Sequence, residues 1–284
     1  MSERAFVIGA GRVGRGLAYV FRTAGLDVLG VHARTAREGA TTSGSLPRAM
    51  AEANVIVVAV SDTSLDDVCR ELADAARLRK SVTPGTVVLY TSGSATPAAL
   101  HELRAAGSPC GTFHPLAPFS SAERGAAILR DGWVGIDGDP VACATSRRLA
   151  AAIGARTVNI PAGGKSLYHA AAVIASDFPV ILAGLAARLL AEAGVERRAA
   201  EQVTHRLMSG AVDNLAHGSP MDVLTGPAAR GDSDAISAHR AALRRDPDLL
   251  AVYDALTRAV AGLSGGHAPR VNNADPGRGS EFER

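Results

Sequence analysis

"RAFVIGAGRVGRGLAYVFRTAGLDVLGVHAR", residues 4–34, decides the fold. An apolar run ending at Ile8 gives way to Gly9, Gly11 and Gly14, then to an amphipathic stretch, then to Gly25 and a second apolar run. That is strand, turn, helix, stop and strand within the roughly 30 residues a βαβ unit requires. The glycines form GxGxxG directly after the strand, where a dinucleotide fingerprint belongs. In that placement Gly9 permits a tight turn, Gly11 lets a pyrophosphate approach the backbone, and Gly14 lets helix pack closely on strand. The whole turn, Gly9, Ala10, Gly11, Arg12, Val13 and Gly14, is therefore the candidate cofactor-binding segment.

The end of the second strand distinguishes the dinucleotides. An NAD site usually offers an acid there to the ribose hydroxyl. In "GVHARTAREG" (30–39) Asp27 lies too early, and His32, Arg34, Thr35 and Arg37 stand where a 2′-phosphate would be bound. NADP is expected and NAD disfavoured; the competing reading makes these arginines solvated loop charges.

Outward from this unit the alternation continues. Strands are expected in "ANVIVVAVSD" (53–62), "GTVVLYTSGS" (85–94), "GTFHPLAPF" (111–119), "GWVGIDGD" (132–139) and "RTVNIP" (156–161). Helices are expected at 65–78, after Pro97 and at 140–153. This predicts an α/β Rossmann domain over residues 1–162, a doubly wound, mostly parallel sheet. Ligands collect at the carboxyl ends of such strands, which singles out Val60, Ser61 and Asp62, then Thr91, Ser92 and Gly93, then His114 and Pro115. Turn capping competes with ligand contact for Ser61 and Ser92, and His114 is open between cavity wall and catalytic group.

After Pro161 the pattern turns to long Ala/Leu-rich helices at 165–194, 196–217, 233–245 and 247–263, an all-α domain over residues 163–264. Asp232 or Ser233 suits the cap of the third and Asp246 that of the fourth. Residues 265–284, rich in Gly, Pro and Asn, read as a disordered tail. The first helix opens oddly, in "GGKSLYHAAAVIASDFPVIL" (163–182). At about 100° per residue Lys165, His169, Ala172 and Ser176 share one stripe, with Tyr168 beside it. A lysine among alanines and valines must snorkel to water, pair with an acid or face a polar cavity.

Composition narrows the classes. The chain has 284 residues, 47% hydrophobic, enough for a substantial core. A net charge of +2 with interspersed signs argues against nucleic acid or a membrane surface as partner. Three widely spaced cysteines fit neither a disulfide framework nor a metal site, and no signal peptide is recognisable, so a cytoplasmic location is expected. The apolar run from Ala170 to Ala187 is broken by Asp177 and Pro179 and makes a poor membrane span. "NIPAGGKS" (159–166) lacks the first glycine of a P-loop. No tyrosine is followed by lysine at the fourth position, as a short-chain dehydrogenase needs, and no His or Cys spacing indicates zinc.

A Rossmann half followed by a helical half resembles the superfamily of 6-phosphogluconate and β-hydroxyacid dehydrogenases, ketopantoate reductase and pyrroline-5-carboxylate reductase. Within it "TFHPLAPF" (112–119), "GGKSLYHAAAVIAS" (163–176) and "LTGPAARGD" (224–232) resemble motifs of the Rossmann-like oxidoreductases that carry a C-terminal domain of unknown function. That resemblance implies an NADP-dependent dehydrogenase or reductase acting at the junction of its two domains. In the β-hydroxyacid branch the helix entering the second domain directs Lys and, one turn on, Asn at the substrate. The matching pair is Lys165, as proton donor, and His169, as substrate holder or proton relay, with His114 and Ser176 as further catalytic candidates. Tyr168, Asp177 and Arg230 are the candidate substrate-binding residues. Asp177 departs from the family, which usually has Asn after the motif's serine. Arg230 either binds a substrate carboxylate or locks its own loop through Asp232. The expected substrate is a small oxo or hydroxy acid, ketopantoate-like; a cyclic imine or a non-catalytic NADPH sensor are the alternatives. A helical domain of about 100 residues this rich in alanine leaves apolar surface uncovered, so a homodimer through it is expected.

Overall fold

Side-chain alternation along the strands creates two layers of core. In β1 (Arg4–Ile8) Ala5 and Val7 join one buried cluster while Phe6 and Ile8 join another, because successive side chains leave a strand on opposite faces. β4 (Val55–Val58) divides likewise, Val55 and Val57 against Ile56 and Val58, and all four are buried. Strands buried on both faces need helices on both faces. In the computed structural model, which describes residues 3–264, they have them. One cluster takes in α1 (Arg12–Thr23), α4 (Ala122–Leu129) and α5 (Pro140–Ala152). The other takes in α2 (Asp62–Arg77) and α3 (Leu100–Ala105).

The remaining strands are β2 (Asp27–Ala33), β3 (Thr42–Ser43), β5 (Val87–Tyr90), β6 (Cys110–Pro115), β7 (Trp133–Gly138) and β8 (Arg156–Asn159). They form one eight-stranded sheet in the order β3-β2-β1-β4-β5-β6-β7-β8. Every pairing is parallel except β6 with β7. The fold is the doubly wound, mostly parallel sheet expected. The chain moves outward from β1 in both directions, so the crevice at the ends of β1 and β4 is the switch point where such sheets hold ligands.

Several short elements are not among those read from the sequence. β3 has two residues, and α4 has eight. The turn 224–232 holds a four-residue helix, α9 (Pro227–Arg230), and another, α8 (Pro220–Val223), precedes it. α4 packs against α1 around Phe119: a Cβ on Gly16 would lie 2.6 Å from its ring.

The chain divides into two compact units, Met1–Pro179 and Val180–Arg284, so the division falls inside α6 (Lys165–Glu192), seventeen residues beyond the expected boundary at 162. The rest of the second unit, as far as Ser264, is helical: α7 (Arg197–Asn214), the two short helices, α10 (Ser233–Leu243) and α11 (Pro247–Ser264). Asp232 accepts from the Ala235 N–H at 3.0 Å and Asp246 from that of Leu249 at 3.0 Å, capping the starts of α10 and α11 as expected. Arg188 donates to Asp246 at 2.5 Å, tying α6 to α11. The expected tail, 265–284, lies outside the described residues.

α6, 28 residues long, buries none of its residues to the level of the core. Among the described residues it is the one helix long and apolar enough to cross a membrane by length and composition. Its opening turn carries an ion pair to the sheet, and it holds Ser176 and Asp177 in mid-course.

Candidate functional site

The turn between β1 and α1 shows what each fingerprint glycine is for. Gly9 has φ +112°, a region that favours glycine, and a Cβ there would collide with the Ala59 carbonyl. A Cβ on Gly14 would collide with the carbonyl of Gly9. Gly11 differs: its backbone is extended and a Cβ would meet no protein atom within 4 Å. The protein's own packing does not require glycine at position 11. The turn is fixed further by the Gly9 N–H, which donates to the His32 carbonyl at 2.8 Å.

A cavity of about 440 Å³ opens from this turn. Gly9, Ala10 and Gly11 form one wall, Arg34, Thr35 and Arg37 another, and Val60 and Ser61 at the end of β4 a third. Neither Arg34 nor Arg37 is paired with a carboxylate among the described residues. His32, also in the lining, is buried with its Nδ1 3.0 Å from the Thr42 hydroxyl, which makes it a fixed wall group. Asp67 and Glu71 contribute acids from α2; Asp67 accepts from Arg70 at 3.0 Å.

Beyond Gly11, Arg12 and Val13 lies a second cavity of about 470 Å³ bounded by His114, Ser176 and Asp177. A third, of about 430 Å³, shares those three residues and adds His169, Ala172 and Val173. The four groups that the sequence placed on α6 or at the end of β6 are thus brought to one place, next to the cofactor turn. Their geometry follows from sheet register. His114 on β6 is paired with Gly135 on β7, and the Tyr168 hydroxyl occupies the space that a Cβ on Gly135 would fill. From there it lies 2.6 Å from His114 Nδ1. The rings of His114 and His169 are 6.1 Å apart, and Gly93 makes room for both, since a Cβ there would lie 2.7 Å from one and 2.8 Å from the other. Burial, with His169 and Lys165 nearby, holds the His114 imidazole down to about 4. Burial, with Asp137 nearby, pushes the Tyr168 phenol up. The pair is neutral on both sides at physiological pH. When the phenol donates, Nε2 of His114 carries the proton; when Nδ1 donates, Nε2 is an acceptor.

Lys165 takes a different place from the one expected. Tyr90, Thr112 and Asp137 are register neighbours across β5, β6 and β7, forming a polar row. The Lys165 ammonium caps that row, donating to the Tyr90 hydroxyl at 2.8 Å, the Thr112 hydroxyl at 2.9 Å and the Ala95 carbonyl at 3.0 Å. Asp137 stands at 3.4 Å, and the lysine side chain is 12% exposed. All three ammonium protons are committed within the protein, and the residue borders a separate cavity of about 650 Å³ that shares no lining residue with the other three. Of the three fates open to this lysine two are realised: it pairs with an acid, Asp137, and it borders a cavity. Lys165 and His169, expected at one substrate, line different cavities.

Other candidates are held by their own surroundings. The Ser92 hydroxyl accepts from the N–H groups of Ser94 and Ala95, at 3.3 and 2.9 Å, closing its turn and lining none of these cavities. Ser61 bonds the hydroxyls of Thr63 and Ser64 while still facing the two cofactor-side cavities. Ser176 donates back to the Ala172 carbonyl at 2.8 Å. Arg12 donates to the Ser120 carbonyl at 3.5 Å. In the second unit Arg230 donates to the Thr225 carbonyl and lies 3.9 Å from Asp232, the loop lock of the two readings offered. Gly93 stands at a strand end as expected, whereas Gly135 and the row Tyr90, Thr112 and Asp137 were not singled out. Asp137 carried a signal, an acid inside an otherwise apolar strand, which requires a cation.

If Lys165 is a tie, its loss is a stability defect. Lys165→Met should destabilise the protein by about 1–3 kcal/mol, less than a fully buried pair because both partners keep some exposure. Adding Asp137→Leu should recover part of that loss in urea unfolding. An unchanged midpoint in the single variant would contradict the assignment.

Comparisons with known proteins agree with this architecture. Residues 4–115 match the model of a Rossmann-like domain and residues 133–260 that of a domain of unknown function, DUF2520. No curated protein sequence matches the chain. Solved structures similar to it include a Bacteroides fragilis protein provisionally named an NADP oxidoreductase, 21% identical with a TM-score of 0.70, covering 91% of this chain and 98% of that one. The pyrroline carboxylate reductase of Plasmodium falciparum, solved with NADP bound, is 11% identical with a TM-score of 0.61, covering 93% and 97%. A reductive aminase of Aspergillus terreus, in complex with NADPH and ethyl-5-oxohexanoate, is 18% identical with a TM-score of 0.63, covering 94% and 97%. At these identities the likeness is one of fold. The chain joins a Rossmann-like domain to a DUF2520 domain, in a fold that these solved structures share.

Proposed function

We propose that this chain is an NADPH-dependent oxidoreductase whose substrate is reduced beside His114. The observation that carries the reading is the empty approach to Gly11 in a cavity that also gathers Arg34, Thr35 and Arg37. The residues fit the dinucleotide: the Gly9–Gly14 turn would hold its pyrophosphate, and the two arginines with Thr35 a 2′-phosphate. Val60 and Ser61 border both cofactor-side cavities and would line its path towards His114. When bound, the dinucleotide supplies a hydride. His114, oriented by Tyr168, is the group placed to hydrogen-bond the reacting heteroatom. Ala117, Pro118, Ala172 and Val173 give that cavity apolar walls that keep water from the reaction. The NADP and NADPH complexes of the similar Plasmodium and Aspergillus proteins support the same reading.

A second copy of the chain is the proposed partner. Leu167, Ile174, Phe178 and Ile181, on one side of α6, are 52–80% exposed, an apolar face of the kind homodimers cover. Light scattering should give twice the chain mass at micromolar concentration; a monomer would contradict this.

Cofactor choice is tested by fluorescence titration. NADPH should bind roughly tenfold or more tightly than NADH, the scale of a charge-assisted phosphate contact, and Arg34→Ala should erase most of the difference. Equal affinities in the wild type would contradict the reading.

A further inference from the structure

The segment that would read a 2′-phosphate has little burial of its own to hold it in place. Residues 34–39 follow β2 and are all exposed, and Arg34, Thr35 and Arg37 among them line the first cavity. Thr41 pins the far end to β2: its N–H donates to the Val31 carbonyl at 2.7 Å and its hydroxyl accepts from the Val31 N–H at 2.9 Å. The middle rests on Arg15. Gly39 has φ +79°, and a Cβ there would collide with Cδ of Arg15, so the loop backbone lies directly on that arginine's methylene stem. Nη1 of Arg15 stands 3.6 Å from Oε1 of Glu38. By its backbone Arg15 belongs to the other anion-binding element. It follows Gly14, and its N–H donates to the Gly11 carbonyl at 3.0 Å, closing the first turn of α1. Its side chain is 32% exposed, yet Nε is buried without an acceptor. A buried donor left unpaired costs free energy, and an ion pair to a glutamate side chain 94% exposed returns little of it. What this placement secures is the position of the loop.

We infer that Arg15 is a positioning residue for cofactor choice: it sets the spacing between the pyrophosphate turn and the 2′-phosphate loop, and so governs discrimination between NADPH and NADH without touching either. The inference rests on the oxidoreductase reading above and deepens it. Within one dinucleotide the pyrophosphate and the 2′-phosphate are joined through a single ribose ring, which confines their separation to a narrow range. The two protein elements that receive them gain affinity when they are held at the matching separation before the ligand arrives. Arg15 spans the two, with its backbone fixed by the glycine turn and its stem under Gly39. It is absent from the cavity lining, so it acts through Arg34, Thr35 and Arg37. NADH has no 2′-phosphate and draws nothing from that arrangement.

The test measures NADPH and NADH affinities of the full-length protein by fluorescence titration, with unfolding stability followed in parallel. The variants are Arg15→Ala, Arg15→Lys, Gly39→Ala and the double variant Arg15→Ala/Gly39→Ala. Alanine is the best helix former, so Arg15→Ala leaves α1 intact. It should weaken NADPH roughly three- to tenfold, the scale of ordering one or two long side chains on binding, and leave NADH within about twofold of the wild type. Arg15→Lys keeps the stem through Cδ and should keep most of the preference. Gly39→Ala sets a methyl group against that stem at a backbone angle that favours glycine, and should reproduce the loss. The double variant should lose little more than either single one, because both act through one contact. An unchanged ratio of the two affinities in Arg15→Ala, an equal loss for NADH and NADPH, loss of the preference in Arg15→Lys, or full additivity in the double variant would overturn the inference. A loss in Arg15→Ala that Gly39→Ala does not share would assign the effect to the arginine's charge and overturn it as well. A wild type that binds NADPH no more tightly than NADH would overturn the cofactor reading, and this inference with it.

Discussion

Everything at the switch point depends on how closely the β1–α1 turn lies against β4. The Ala59 carbonyl occupies the space of a Gly9 side chain, and the Gly9 carbonyl that of a Gly14 side chain. Two glycines are thus consumed in bringing backbone to backbone. The result is a helix start that faces an open crevice, with its unpaired N–H groups available to an anion. Gly11, in the same turn but touching nothing, marks where that anion would lie. The flanking strands then complete the crevice without further adjustment: β2 delivers Arg34 and Arg37 on one side, and β4 delivers Val60 and Ser61 on the other.

A second constraint sets the other end. The Lys165 ammonium holds the first turn of α6 over the row Tyr90, Thr112 and Asp137. One turn later Tyr168 and His169 necessarily fall near the next same-face position of β6, which is His114. Glycine at 93 and 135 supplies the room. Lysine and histidine share a stripe, as the helical period indicates, yet they serve different cavities, because the lysine reaches inward while the histidine faces the space beyond the cofactor turn. Shared periodicity on a helix does not imply a shared site.

Much of the fold was legible because strands such as "VIVV" and "VVLY" are apolar on both faces and are punctuated by glycine at regular intervals. The cofactor turn was legible for the same reason, since its glycines follow a strand and open a helix. α4 escaped notice at eight residues, although Ser121 caps it and Ala122, Ala126 and Leu129 bury one face. The roles around Lys165 were not legible. They rest on register between strands 20 to 30 residues apart in sequence, which fixes Tyr90, Thr112 and Asp137 side by side and which no local pattern encodes. The division of the chain within α6 is equally a matter of packing, because the helix continues through Pro179 without a change of composition.

Gly11 is the one fingerprint glycine that the protein's own packing does not require. The most direct measurement is therefore paired: unfolding stability and NADPH affinity of Gly11→Ala. The backbone there is extended and the space is open, so stability should change by less than about 1 kcal/mol, the scale of a helix-cap substitution. NADPH affinity should fall by roughly tenfold or more, because a methyl group would stand where the pyrophosphate approaches. Unchanged affinity in a variant of unchanged stability would contradict the account.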